Sequence, residues 1–127
     1  MIIHSQKNIL FICADEYFCD VVQFCIEVFS KWRVIIARSR EEALASSAKV
    51  KPDVILLDML TPRVDNFLVL QQLRADPQLA DIPVVILTIF SELTQPKNIA
   101  QLGVQGAITH PFHSSKITSQ ISRILGW

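Results

Sequence analysis

The sequence predicts an α/β fold in which a doubly wound parallel sheet of five strands is covered by helices on both faces. Short apolar runs alternate along the chain with longer segments of helical periodicity. Strict alternation of strands and helices requires parallel strands that are joined by right-handed crossovers. Because the runs are continuously apolar and do not alternate with polar residues, both faces of the sheet must be covered.

Each element follows from its own stretch of sequence. The strands are the apolar, β-branched runs at Asn8 to Cys13, Arg33 to Ala37, Val54 to Leu57, Pro83 to Thr88 and Gln105 to Thr109. The helices are the periodic segments at about Glu16 to Lys31, Arg40 to Val50, Asn66 to Asp76, Leu93 to Leu102 and Ser114 to Leu125. Breakers such as Pro52, Pro77 and Gly103 lie in the connections. Five such units favour the flavodoxin-like strand order 2-1-3-4-5, whose crevice lies at the carboxyl ends of strands 1 and 3.

Composition limits the classes of function. The chain has 127 residues, half of them apolar, which is enough for one domain around one core. We expect a single domain over 1–127 with its core at about 8–125 and, because the last helix reaches the end of the chain, no output domain. Twelve basic residues balance twelve acidic ones without blocks of either sign, which argues against nucleic acid or a membrane as partner. The expected partner is a protein.

The cysteines and the start of the chain indicate the compartment. Cys13, Cys19 and Cys25 lack the spacing of a zinc site, so we interpret them as buried thiols. The first residues do not form a secretory signal, and no apolar stretch is long enough to span a bilayer. We therefore expect a cytoplasmic protein.

The first helix carries two apolar stripes. At about 100° per residue, one face contains Cys19, Val22, Ile26 and Phe29. The nearly opposite face contains Tyr17, Val21, Phe24 and Val28. A helix on a sheet buries one stripe, so we expect the second to be a docking face or a homodimer face. In the alternative, Tyr17 and Phe24 fold over the neighbouring helix and enlarge the core.

Polar residues at the strand ends form a candidate site. Asp58 ends an apolar run, where burying an unpaired charge would be costly. Asp15 and Glu16 follow strand 1, Thr88 ends strand 4 and His110 follows strand 5. Taken singly, Asp15 is a favoured helix N-cap, Thr88 is β-prone and His110 is a loop residue before a proline. Their joint placement at one edge favours a site.

The chemistry of such a crevice is that of a divalent cation and a phosphoryl group. Neighbouring carboxylates repel each other unless a cation intervenes, and Mg²⁺ needs few protein oxygens because it keeps several waters. We expect the carboxylates of Asp15 and Asp58 and the backbone carbonyl of Leu60 to bind it. Asp58 is then placed to attack a phosphoryl group in line, with the Thr88 hydroxyl donating to a phosphoryl oxygen.

From Asn8 to Trp127 the chain resembles the receiver domains of bacterial two-component response regulators. The matching runs are PDVILLDMLTP at 52–62, DNF at 65–67, VLQQLR at 69–74, IPVVILT at 82–88, GVQGA at 103–107 and PF at 111–112. The resemblance implies that Asp58 is the phosphoacceptor, that Asp15 and Leu60 bind Mg²⁺, and that Thr88 is the switch hydroxyl. It also implies a histidine kinase or phosphotransfer protein as the phosphate donor.

The resemblance further implies a cis peptide bond before Pro111. At several positions, however, the chain departs from the family pattern. Ala14 stands where receivers usually carry an additional acid, which leaves Glu16 as an auxiliary ligand through water. His110 replaces a lysine that contacts the phosphoryl group, a loss of about 2 to 4 kcal/mol by analogy with oxyanion-hole deletions. Ile89 replaces a small residue, and Ala107 replaces an aromatic one.

These observations support two hypotheses. The first is a stand-alone, atypical receiver that accepts phosphate on Asp58 and signals by protein contact. The second is a degenerate pseudo-receiver that acts as a phosphorylation-independent interaction module, which the departures at Ala14, Ile89, Ala107 and His110 favour. An enzyme or nucleotide binder on this fold is disfavoured, because three glycines in the whole chain cannot build a Gly-rich phosphate loop.

Overall fold

The computed structural model describes residues 6–60 and 64–127, and for 64–66 it describes the backbone only. Thr61, Pro62 and the first residues of the chain, on which part of the sequence interpretation rests, lie outside the described residues. The strands are β1 Asn8–Ile12, β2 Arg33–Ala37, β3 Val54–Met59, β4 Val84–Thr88 and β5 Gly106–Thr109. All pairs are parallel and the order is β2-β1-β3-β4-β5, which confirms the predicted fold.

The helices cover the sheet as expected, with corrected boundaries. They are α1 Glu16–Val28, α2 Arg40–Lys49, α3 Val64–Ala75, α4 Pro96–Leu102 and α5 Ile117–Leu125. The predicted start of the fourth helix at Leu93 is wrong, because Pro96 occupies the first turn, where a missing N–H costs nothing. Residues Ser91–Thr94 form a separate 3₁₀ turn. The fifth helix begins at Ile117, three residues later than predicted, after a turn at 114–116.

Two other boundaries also differ from the prediction. Helix α1 stops at Val28 and does not reach Lys31, and Ser30 then uses its hydroxyl to donate to the backbone carbonyl of Ile26. Strand β3 continues past Leu57 to Met59, so Asp58 lies inside the strand. This extension matters for function because strand pairing now fixes the backbone on both sides of the Asp58 carboxylate.

The core consists of two apolar layers, one on each face of the sheet. Successive residues of a strand point to opposite faces, so Ile9 and Phe11 pack under α1 and α5, while Leu10 and Ile12 pack under α2 and α3. The central strands β3 and β4 are almost fully buried, as continuous apolar runs predict. None of the described helices is long and apolar enough to cross a membrane.

Helix α1 buries one of its two stripes. Cys19, Val22 and Ile26 are buried against the sheet, with Phe29 half-buried after the helix. The second stripe faces solvent, with exposed fractions of 81% for Tyr17, 43% for Val21, 68% for Phe24 and 49% for Val28. The alternative in which Tyr17 and Phe24 join the core is therefore wrong.

Close packing between β5 and α5 predicts a steric requirement for glycine at the start of β5. A Cβ atom at Gly106 would lie 2.6 Å from Cγ2 of Ile124, a β-branched side chain with little freedom to move. We expect Gly106→Ala to lower the free energy of unfolding by about 1–3 kcal/mol in denaturant titration. Gln105→Ala, at the exposed neighbouring position, is the control.

The double variant Gly106→Ala with Ile124→Ala tests the cause. Because Ile124→Ala opens the space that the new methyl group needs, the two losses of stability should sum to more than the loss in the double variant. Losses that simply add would contradict the steric explanation.

Candidate functional site

The parallel strands β1, β3 and β4 end at one edge of the sheet, and their register determines which side chains meet there. Ile12 pairs with Leu57, so Cys13, the next residue, lies beside Asp58. Met59 pairs with Thr88 on the other side of β3. The sheet thus brings together residues about forty positions apart, as the predicted strand order requires.

Both carboxylate oxygens of Asp58 accept hydrogen bonds. Oδ1 accepts from the backbone N–H of Leu60 at 3.1 Å, and Oδ2 accepts from the thiol of Cys13 at 3.4 Å. The side chain is half-buried, and no lysine or arginine of the described residues forms an ion pair with it. The described residues therefore bind the Asp58 carboxylate through hydrogen bonds without compensating its charge, which is costly unless a cation or a ligand approaches.

Asp15 has the structural role that its sequence position suggested. Its Oδ1 atom accepts from the backbone N–H of Phe18 at 3.0 Å and caps α1, while the side chain stays exposed. The same residue approaches the site through its backbone, because its carbonyl oxygen lies 3.5 Å from the Cys13 sulfur. Glu16, the predicted auxiliary ligand, is exposed in the first turn of α1.

Cys13 belongs to the site, although the sequence interpretation assigned it only to the core. It is 2% exposed, and the thiol of the equally buried Cys19 donates to its carbonyl at 3.1 Å. Burial raises the pKa of both thiols, and the charge of Asp58 acts in the same direction. Cys13 is consequently a neutral S–H donor at physiological pH. Its position at the end of the predicted strand 1, next to strand 3 in the predicted order, was the signal for this contact.

Thr88 and His110 form a second group at the same edge. The Thr88 side chain is buried, and its Oγ1 accepts from the backbone N–H of Phe90 at 3.1 Å. The backbone N–H of His110 donates to the Thr88 carbonyl at 2.7 Å, and the peptide bond before Pro111 is cis. No hydrogen bond among residues 6–60 and 64–127 joins this group to Asp58.

The His110 ring is held by aromatic contacts. It packs edge-on against Phe18 of α1, with ring centroids 6.2 Å apart, and against Phe112, with centroids 5.4 Å apart. Such edge-to-face pairs favour one ring orientation over others. Ile89, which follows Thr88, is 48% exposed and places a large apolar side chain at the rim.

The oxygen donors at this edge fit Mg²⁺ better than a transition metal. Within the described ranges, no cluster of three or more His, Cys, Asp or Glu side chains could hold an ion by itself. Mg²⁺, however, commonly uses one or two carboxylates and takes its remaining ligands from water and phosphate. Asp58 has no positive partner in the part of the chain that the structure describes, and the Asp15 carboxylate and the Leu60 carbonyl follow the adjacent strands. Protonated Cys13 is unsuited to zinc.

Comparison with known proteins identifies the family. The sequence profile described as "Response regulator receiver domain" matches residues 9–122. The chain belongs to this receiver family. Receiver domains generally bind Mg²⁺ at their phosphorylation site and interact with histidine kinases or phosphotransfer proteins, and they serve as signalling modules rather than enzymes.

Relatives of this receiver include transcriptional regulators. It is 31% identical over 120 residues to the DNA-binding dual master transcriptional regulator RpaA of Synechocystis and to the alkaline phosphatase synthesis transcriptional regulatory protein PhoP of Bacillus subtilis. Each alignment covers 94% of this chain and 49% of the relative, so the chain spans about half the length of these curated relatives.

Solved structures share the fold of this receiver. The chemotaxis response regulator CheY4 of Vibrio cholerae superimposes with a TM-score of 0.76 at 21% identity, covering 94% of this chain and 99% of that one. A response regulator from Thermotoga maritima gives the same TM-score at 16% identity, covering 97% and 100%. At these identities the likeness concerns the fold alone.

Burial of the receiver's thiols predicts slow chemical modification. Because burial keeps Cys13 and Cys19 protonated and inaccessible, both should react with a thiol reagent at neutral pH far more slowly than free cysteine. Unfolding in denaturant should make all three cysteines reactive, and mass spectrometry of the labelled peptides assigns each site. Rapid labelling of Cys13 in the folded protein would contradict the described packing.

Proposed function

We propose that this receiver accepts a phosphoryl group on Asp58 from a histidine kinase or a phosphotransfer protein. The observation that carries the proposal is the state of the Asp58 carboxylate, which is half-buried, accepts a hydrogen bond at each oxygen and forms no ion pair with a described lysine or arginine. Its hydrogen-bond donors, a backbone N–H and a thiol, are both neutral, so they leave its negative charge uncompensated and able to attract a cation. We also propose a cytoplasmic location, which the free thiols support.

The proposed reaction is a transfer between nitrogen and oxygen. A carboxylate oxygen of Asp58 attacks the phosphorus of a phosphohistidine and forms an acyl phosphate. The P–N bond breaks, and its electron pair stays with the imidazole of the donor, which takes up a proton. Bound Mg²⁺ would supply charge stabilisation for the phosphoryl oxygens, with Asp15, Asp58 and the Leu60 carbonyl as its proposed ligands and Glu16 contacting it through water.

Thr88 and His110 have proposed roles on the phosphoryl oxygens. The Thr88 Oγ1 atom accepts from Phe90, which leaves its own hydroxyl hydrogen to donate to a phosphoryl oxygen. The His110 ring, oriented by Phe18 and Phe112, would approach the same oxygens. Imidazole is shorter than a lysine side chain, so we propose weak coupling between phosphorylation and conformation.

Labelling with acetyl phosphate tests the proposed acceptor. In the presence of Mg²⁺ we expect intact-mass spectrometry to show one added phosphoryl group on the wild type and none on Asp58→Asn. Asp53→Asn is the matched control, because Asp53 lies just before β3 and its carboxylate accepts from the backbone N–H of Asn8 at 2.7 Å. Chelation of Mg²⁺ should slow labelling at least tenfold.

A negative result would favour the second hypothesis. If the wild type stays unlabelled under conditions that label an ordinary receiver, the proposal is wrong and the pseudo-receiver interpretation replaces it. Labelling of Asp58→Asn would show that the phosphoryl group is on another residue.

We further propose that the exposed stripe of α1 is a contact face for a second copy of this chain. Tyr17, Val21, Phe24 and Val28 form a continuous apolar surface along the helix. Phe24 lies near the middle of this stripe, so two copies related by a twofold axis could pack their Phe24 rings against each other. Asp20 flanks the stripe, so its carboxylate in one copy would repel the carboxylate in the other. Salt should therefore strengthen the association, because it screens this repulsion.

Replacement of Phe24 tests this face. We expect the wild type to show concentration-dependent dimerisation in sedimentation velocity and Phe24→Glu to remain monomeric, because a buried unpaired carboxylate is costly. Phe67→Glu is the matched control, since Phe67 is a 40% exposed phenylalanine on α3. A wild type that is monomeric at all concentrations, or a dimer that tolerates Phe24→Glu, would contradict the proposal.

A further inference from the structure

One thiol hydrogen lies between two oxygen acceptors at the edge of the sheet. The Cys13 sulfur is 3.4 Å from Oδ2 of Asp58 and 3.5 Å from the backbone carbonyl of Asp15. Since a thiol has a single hydrogen, it can satisfy only one of these acceptors fully at a time. The sulfur is therefore within hydrogen-bond reach of both the acceptor carboxylate and the backbone of Asp15, whose side chain is the other proposed Mg²⁺ ligand.

The position of this sulfur is fixed by its surroundings. The Cys13 backbone N–H donates to the carbonyl of Ala37 at 3.0 Å, and its carbonyl accepts from the thiol of Cys19 at 3.1 Å. With the backbone held on both sides and the side chain 2% exposed, the remaining freedom is rotation of the S–H bond. That rotation exchanges the Asp58 carboxylate for the Asp15 carbonyl as acceptor.

We propose that Cys13 is a positioning residue that holds the Asp58 carboxylate in the metal-free receiver and competes with Mg²⁺ for Oδ2. This inference rests on the proposed function of Asp58. When the cation approaches Oδ2, the thiol hydrogen turns to the Asp15 carbonyl, so the competition is weak rather than prohibitive. Cys13 thereby contributes to weak Mg²⁺ binding, in addition to the missing acid at Ala14.

The Mg²⁺ affinity should depend on how strongly the side chain at position 13 donates a hydrogen bond to Asp58. Cys13→Val removes the donor at similar volume, and we expect isothermal titration calorimetry to show roughly two- to tenfold tighter Mg²⁺ binding. Cys13→Ser replaces the thiol by a stronger donor and should bind Mg²⁺ more weakly than the wild type. Damage to the fold would weaken binding in both variants, so opposite changes identify the hydrogen bond as the cause.

Cys25 provides matched controls. It is buried on α1 like Cys19, and none of the side-chain hydrogen bonds found in the described residues involves it. Cys25→Val and Cys25→Ser should therefore leave the Mg²⁺ affinity unchanged. Equal Mg²⁺ affinities in the wild type and both Cys13 variants, or changes in the same direction, would overturn the proposal.

A spectroscopic measurement tests the hydrogen bond without Mg²⁺. The S–H stretching band of Cys13 is assigned from the infrared difference between wild type and Cys13→Val. This band should move to higher frequency in Asp58→Ala, and an unmoved band would overturn the proposal.

Acetyl phosphate labelling separates the two proposals. If Asp58 is labelled but the Mg²⁺ affinities do not fall in the order Cys13→Val, wild type, Cys13→Ser, only the role of Cys13 is overturned. If the Mg²⁺ affinities do fall in that order but Asp58 is not labelled, only phosphate acceptance is overturned.

Discussion

The pairing of β1 with β3 is the constraint on which the site depends. This register places Cys13 beside Asp58 and brings the loop that starts at Ala14 to the same edge. A shift by one residue would turn the Asp58 side chain to the other face of the sheet, since side chains alternate along a strand. The buried apolar layers on both faces prevent such a shift, because it would also exchange every core residue of β3.

The site combines a rigid frame with few charges. The Asp58 carboxylate accepts hydrogen bonds from a backbone N–H and a thiol, and the Asp15 carboxylate accepts one from a backbone N–H at the start of α1. The Thr88 hydroxyl oxygen also accepts from a backbone N–H. All of these donors are neutral, so they orient the oxygens without compensating the charge of Asp58. In the proposed function, a bound cation would therefore supply the electrostatic stabilisation that these neutral donors do not.

The sequence predicted the elements better than their ends. Short apolar runs located all five strands, most clearly β3 and β4, whose burial on both faces leaves a continuous apolar pattern. The start of α4 was missed because Pro96 can begin a helix as well as interrupt one, and local sequence does not decide which. The extension of β3 to Met59 depends on Thr88 in the neighbouring strand, which is a pairing across the sheet.

By itself, the sequence determined the fold class, the buried stripe of α1 and the identity of the acid at the sheet edge, because each follows from hydrophobic period or from a charge in an apolar run. The strand order was predicted from the arrangement that five such βα units favour. Only the tertiary structure decided that Tyr17 and Phe24 face solvent and that Cys13 donates to Asp58. Both outcomes depend on contacts between residues on different elements or on the direction of a side chain. A linear pattern of residue types contains neither.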